Sequence, residues 1–166
     1  MPEKQTIENA RRDAAEGKAP STQAGEFVHE EIEHVRKGKH GARSVKQAIA
    51  IGLSKARRAG IRLPPPRKGK VSARTRSQAA RDYRRGQVSP RRTPSRRRSR
   101  AVLRALKREG QHAASHTALS RQAHASARRR GSIGRHEAAE KAVRTKGSVG
   151  LSRAAQKAAR TRQARG

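Results

Sequence analysis

The segment SVKQAIAIGLSKARRAG, residues 44–60, reads as a complete amphipathic helix with both ends marked. Ser44 followed three residues later by Gln47 has the form of a capping box, in which the Ser hydroxyl accepts from the Gln47 amide and the Gln side chain reaches back. Val45, Ile49, Leu53 and Ala56 fall at spacings of four, four and three, which places them on one face. Lys46, Ser54, Arg57 and Arg58 occupy the remainder. The two arginines lie in the last turn, beside the negative end of the helix dipole, and Gly60 supplies a left-handed stop.

Upstream, Ser21 and Thr22 offer N-caps for a second helix running to about Lys37. It carries Ala24, Val28, Ile32 and Val35 on one face, with Phe27 beside them. Glu26, Glu30 and Glu31 lie in its first half and Arg36 and Lys37 at its end, the polarity that the macrodipole favours. Gly38 and Gly41 bracket a tight connection, so residues 21–63 predict a helix-turn-helix hairpin that closes Phe27, Val28, Ile32 and Val35 over Val45, Ile49, Leu53 and Ala56. Burying about six such side chains contributes on the order of 10–15 kcal/mol gross, against the ordering of about 40 residues. That balance is marginal for a monomer and points to self-association through the hairpin. A DNA-reading helix-turn-helix module has a third helix and a fuller core, neither evident here, so sequence-specific readout is not expected. Residues 1–20 form a short polar segment, helical over residues 2–16, with Ile7 as its only large apolar side chain before a break at Gly17 and Pro20.

Beyond the prolines at 64–66 the chain is basic and rich in Ala, Ser and Arg. Segments opening on Ser and closing on Gly recur at 72–86, 95–110, 115–131, 132–147 and 148–166, a repeat of composition without a stacked core. Large apolar residues are too thinly spread there to offset a backbone ordering cost of about 1–2 kcal/mol per residue. The fold class expected is therefore mostly α with extensive disorder: residues 64–166 are a basic, largely disordered arm whose short conditional helices form on binding.

Charge is unevenly placed. The 166 residues hold 43 Lys and Arg against 12 Asp and Glu, a formal charge of +31. Residues 1–43 contain eight of each sign and are neutral, so 35 bases (43 − 8) and four acids (12 − 8) lie in residues 44–166. A neutral N-terminal part followed by a polycation points to a polyanionic partner. The chain has no Cys, which removes disulfides and thiolate metal sites. No apolar run approaches the length of a membrane span, and the first residues lack a signal-peptide core, so a cytoplasmic, nucleoid location is expected.

The run from Glu26 to Gly60 resembles a family of small, basic bacterial proteins of unknown function whose shared block reads K-H-G followed by S-x-K-Q-A-I-A-I-G-L-S-x-A-R-R-A-G. In this chain the likeness rests on residues 39–41 and 44–60. It implies a bacterial source and brings no activity, so no functional residue carries over. The basic remainder is similar in composition to histone H1-like bacterial proteins.

Ser89-Pro90-Arg91-Arg92, followed by Thr93-Pro94-Ser95-Arg96, is the sharpest local motif. It resembles the Ser/Thr-Pro-basic-basic repeats of histone tails. Ser/Thr-Pro favours a compact turn, and adjoining arginines suit the enhanced negative potential of a narrow A·T minor groove. Arg97, Arg98 and Arg100 continue that charge. Arg57, Arg58, Arg84, Arg85, Arg128, Arg129, Arg130, Arg160, Arg162 and Arg165 complete the candidate phosphate contacts, since the planar guanidinium matches phosphate oxygens. The partner expected is nucleic acid, duplex DNA ahead of RNA, because Phe27 and Tyr83 are too few aromatics for a base-stacking platform. A ribosome- or RNA-associated protein is the alternative within that class. A polycationic stress protein binding acidic partners or anionic membrane is the alternative outside it, and the lack of a broad apolar face argues against membrane insertion. Catalysis and cofactors are not expected. His29 and His34 mimic a zinc-protease helix but stand five residues apart, whereas that motif needs four. His112, His116, His124 and His136 are scattered without acids to form a site, and residues 131–134 lack the strand-turn-helix context of a phosphate loop.

Overall fold

The computed structural model describes residues 2–88 and 95–164. The stretch 44–60 becomes helix α3 (Val45–Arg58), with the predicted ends. The Gln47 amide donates to Ser44 Oγ at 3.2 Å, and the Gln47 side chain reaches one residue further than a capping box requires, accepting from the Arg43 amide at 2.7 Å. At the other end Gly60 takes φ +97°. The Ile61 amide then donates to Ala56 and the Gly60 amide to Arg57, the two bonds of a Schellman motif. Helices α1 (Lys4–Ala15) and α2 (Pro20–Arg36) end with the same pair of bonds around Gly17 and Gly38. Helix α2 starts without a side-chain cap, Pro20 standing in its first turn, so Ser21 and Thr22 are not its caps.

Helices α2 and α3 pack as a hairpin, but α3 is turned from the expected face. Val45, Ala48, Gly52 and Ala56 are buried, while Ile49 and Leu53 are only partly so. The small residues let the backbones meet. A Cβ on Gly52 would stand 2.7 Å from Val28 Cα and 2.9 Å from the Phe27 carbonyl oxygen. Large side chains are displaced to either side of this contact, into two clusters. One joins Phe27, Ala24 and Ala56 to Ala10 of α1, with Ile7, Leu53, Ile61 and Leu63 at its edge. The other joins Ile32, Val35, Ala42 and Ala48 to Ala113 and Ala114, with Val28 and Leu119 packed on it.

The expectation of extensive disorder is therefore wrong. Past the prolines, helix α4 (Ala73–Val88) returns to pack on α3. Ala79 and Asp82 are buried there, and Asp82 accepts from Ser54 Oγ at 2.7 Å and from Gln78 Nε2 at 3.2 Å. Helix α5 (Arg96–Lys107) leads to a 3₁₀ turn, His112–Ala114, that sits on α2 and α3. The Gly41 amide donates to the Leu106 carbonyl and the Ala42 amide to Gly110, both at 3.0 Å, while Arg36 Nε donates to the Ala114 carbonyl at 3.0 Å. Counting large apolar residues missed this. The later segments bury Ala in close backbone contact, satisfy buried polar groups mutually, and are rich in Ala, the best helix former, and Arg, another good one. The third helix and fuller core that the hairpin seemed to lack are supplied by α1, α4 and the 113–119 stretch.

Helix α6 (His116–Gln163) opens with the Ala118 amide donating to Ser115 Oγ at 3.2 Å. It is interrupted at Gly131 (φ 72°, ψ −179°) and Gly147 (φ 62°, ψ 178°), a backbone region essentially restricted to glycine. Met1–Gln122 is one compact unit and Ala123–Gly166 a second. Among the described residues, no helix is long and apolar enough to cross a membrane.

Two helical glycines make opposite predictions. Gly52→Ala should lower stability by about 1–3 kcal/mol through overpacking, although Ala is the better helix former. Gly25→Ala, where a Cβ would meet nothing within 4 Å, should raise it by about 0.5–1 kcal/mol. Urea denaturation of the two variants beside the parent protein reads both.

Candidate nucleic-acid interface

Helix α5 turns a run of basic residues into a face. At about 100° per residue, Arg96, Arg97, Arg100, Arg104, Lys107 and Arg108 fall within a stripe about 120° wide. All six are exposed, and among the described residues none has a carboxylate within ion-pair distance. The helix buries none of its own residues and is held through the backbone at its C-terminal end, by the bond from Gly41 to Leu106. Val102, 54% exposed, lies on the opposite side, and Leu103, 43% exposed, borders the stripe about 20° from Arg96.

Helix α4 adds a second basic row. With Ala79 and Asp82 turned inward, Arg74, Arg81 and Arg85 follow one another along the outer face at spacings of seven and four, and Arg84 lies beside them. Arg58, on α3, is exposed and stands 3.8 Å from Asp82. Arg128, Arg129 and Arg130 are exposed before the break at Gly131, and Arg160 and Arg162 are exposed in the last turns of α6. Ser89, Pro90, Arg91, Arg92 and Arg165 lie outside the described residues. Arg98 is exposed on α5 but away from the stripe.

Arg57 is different. Only 7% exposed, it donates through Nε to the Leu63 carbonyl at 3.1 Å, and its guanidinium reaches the Pro64 carbonyl. Burial pulls its pKa below the usual range, with Asp82 acting the other way. Its role is to hold the chain as it leaves α3, so it does not join the outward-facing cations. Its last-turn position alone could not distinguish it from Arg58.

A separate polar cluster lies where α1, α2 and α3 meet. Glu31 is fully buried, with Lys55 Nζ 2.6 Å from Oε2 and His40 Nε2 3.3 Å from Oε1, yet neither oxygen has a partner in hydrogen-bond geometry. Its neighbour Glu30 accepts from the Glu3 amide at 3.1 Å and from Lys55 at 3.1 Å. Burial would raise the Glu30 pKa, but the Thr6 hydroxyl, the Glu3 amide and Lys55 together hold it below the usual value. The Glu3 carboxylate receives Lys39 at 2.7 Å and His34 Nε2 at 2.8 Å, which lower its pKa to about 2. The rings of His34 and His40 stand edge to face, 6.0 Å between centroids. Ligand-capable atoms of Glu31, His34 and His40 lie within 4.8 Å of one another. His29, which with His34 mimics a zinc-protease helix, is exposed, and His40 arrives from the α2–α3 connection.

Residues 21–68 match a family described as a family of unknown function (DUF6496), a stretch that contains all of α2 but Pro20, α3, the prolines at 64–66 and, of the polar cluster, Glu30, Glu31, His34, Lys39, His40 and Lys55. No curated protein and no solved structure matches the chain at a significant level.

The two neighbouring arginines of α3 should separate in a stability assay. Arg57→Met should cost about 1.5–3 kcal/mol by removing the charge-assisted hydrogen bonds to the Leu63 and Pro64 carbonyls, whereas Arg58→Gln should stay within about 0.5 kcal/mol of the parent. Thermal and urea melts of both variants make the comparison.

Proposed function

We propose that this protein binds duplex nucleic acid, DNA in the first place, through the phosphate backbone and without sequence selection, in the manner of a nucleoid-associated protein. The observation that carries the reading is the α5 stripe: six cations on one exposed face, with no acid paired to them. A helix of 12 residues is about 18 Å long, enough to face about five base-pair steps of B-form DNA. The arginine row of α4 and the exposed arginines of α6 extend the supply of cations. Recognition by stacking is disfavoured, because Phe27 is buried in the core and Tyr83 is half-buried on α4. The histone-like composition of the later segments and the Ser-Pro-Arg-Arg motif at 89–92 agree with minor-groove contact. On this reading the protein acts by binding and catalyses nothing.

One observation favours a second reading. The exposed Val102 and Leu103 make α5 amphipathic as well as basic, a pattern that also suits the surface of an anionic bilayer.

A salt series separates the two. Binding of the full chain to a duplex, to a single strand of equal length and to phosphatidylserine vesicles is measured with the parent and with a variant whose six stripe cations are Gln. The duplex should be preferred. The variant's log–log salt slope should be flatter by about 5, since each phosphate contact contributes about 0.9. An unchanged slope removes α5 from the interface. Vesicle binding without duplex binding replaces the nucleic-acid reading with the membrane one.

A further inference from the structure

We propose that Glu31, His34 and His40 form a site for a divalent transition metal, Zn²⁺ in the first place, which fastens the α2–α3 connection to α2. The inference is independent of the nucleic-acid reading. It starts from the hydrogen bonds of the two imidazoles. His40 Nδ1 is 3.1 Å from the Gly41 carbonyl, which can only accept, so the proton is on Nδ1. The other ring nitrogen, Nε2, then stands 3.3 Å from Glu31 Oε1 inside the protein. A carboxylate oxygen and an imidazole nitrogen at that distance need a positive charge between them, a proton or a metal ion, and the absence of hydrogen-bond geometry at the fully buried Glu31 Oε1 favours the metal. Lys55 does not meet the need, because its close contact is with the other oxygen, Oε2.

The spacing suits a metal. Ligands about 2.0–2.1 Å from a tetrahedral zinc stand about 3.3–3.4 Å apart, the separation of His40 Nε2 and Glu31 Oε1. His34 completes the set by a side-chain adjustment, its ligand atom already within 4.8 Å of the other two. The outer contacts follow the pattern of metal-bound histidines, in which the second ring nitrogen donates to a carboxylate or a carbonyl. His34 Nε2 faces Glu3 at 2.8 Å, which leaves Nδ1 with its lone pair, and His40 Nδ1 donates to Gly41. Charge also permits it. Three carboxylates (Glu3, Glu30, Glu31) face two ammonium groups (Lys39, Lys55), so with neutral imidazoles the cluster is one negative charge in excess. Two imidazoles and a carboxylate are zinc-type ligands, and water would take the fourth position.

The test uses the full chain, stripped with a chelator and titrated with Zn²⁺ by calorimetry and with Co²⁺ by absorption. One equivalent should bind saturably, the Co²⁺ complex should show the intense d–d bands of a four-coordinate ion, and Zn²⁺ should raise the melting temperature. His40→Ala should abolish those bands, while His29→Ala, at an exposed position, should leave them intact. Glu3→Gln, which keeps all three ligands, should weaken binding by roughly 10–100-fold. The proposal is overturned if the parent takes up no metal saturably or shows only the weak spectrum of hydrated Co²⁺, neither of which depends on a variant folding. It also fails if folded His34→Ala and His40→Ala proteins bind as the parent does, for the ion would then be held by histidines elsewhere.

Discussion

The close approach of α2 and α3 at Gly52 is the constraint on which the other contacts depend. A helix pair whose backbones nearly touch has no room for large side chains along its midline, so Ala48, Gly52 and Ala56 lie there and Phe27, Ile32, Val35 and Leu53 are pushed to its margins. Each margin is then an apolar strip that two helices alone leave open. Helix α1 closes one with Ala10 and Ile7, and the turn at Ala113 and Ala114 closes the other. Parts of the chain nearly 80 residues apart are thereby drawn into one unit, as the bond from Arg36 to Ala114 illustrates. The tight midline decides which later segments must fold.

The same packing sorts the charges. Few acidic residues are available, and many of them are used inside. Glu30 and Glu31 are buried with Lys55, Glu3 is taken by Lys39 and His34, and Asp82 is enclosed between α3 and α4. Asp13 and Glu33 pair with Lys18 and Arg36. Removing one partner from a buried pair is strongly destabilising, so Glu30 and Glu31, held by Lys55, are not free to neutralise the arginines outside. Folding therefore leaves a surface more one-sided than the composition alone conveys, and α5 is its clearest expression.

Local features were legible in the sequence and distant ones were not. The Ser44 cap, the Gly60 stop and the helix between them depend on neighbours within a few residues, and so do the starts of α4, where the Thr75 amide donates to Ser72 Oγ, and of α6 at Ser115. The inner face of α3 was misread because periodicity ranks Ile49 and Leu53 above Ala and Gly, whereas the tight crossing reverses that preference. The order in the later segments was missed for the same reason: Ala79, Ala113 and Ala114 look like filler until the surfaces that they touch are known. Arg57 and His40 were beyond reach in another way. What decides them is a pair of free carbonyls after α3 and a buried carboxylate on α2, which no spacing rule connects to them.

The breaks at Gly131 and Gly147 have a consequence for how this chain can change length. The stretches GSIGRHEAAEKAVRTK (131–146) and GSVGLSRAAQKAARTR (147–162) align without a gap, and both begin on a glycine in the same unusual backbone conformation. Sixteen residues (147 − 131) are not a whole number of α-helical turns, so in an unbroken helix an added copy would rotate everything beyond it. A glycine joint at each boundary restarts the helical phase. A copy can therefore be gained or lost while every module keeps its own arrangement of cations, which makes this end of the protein extensible by duplication.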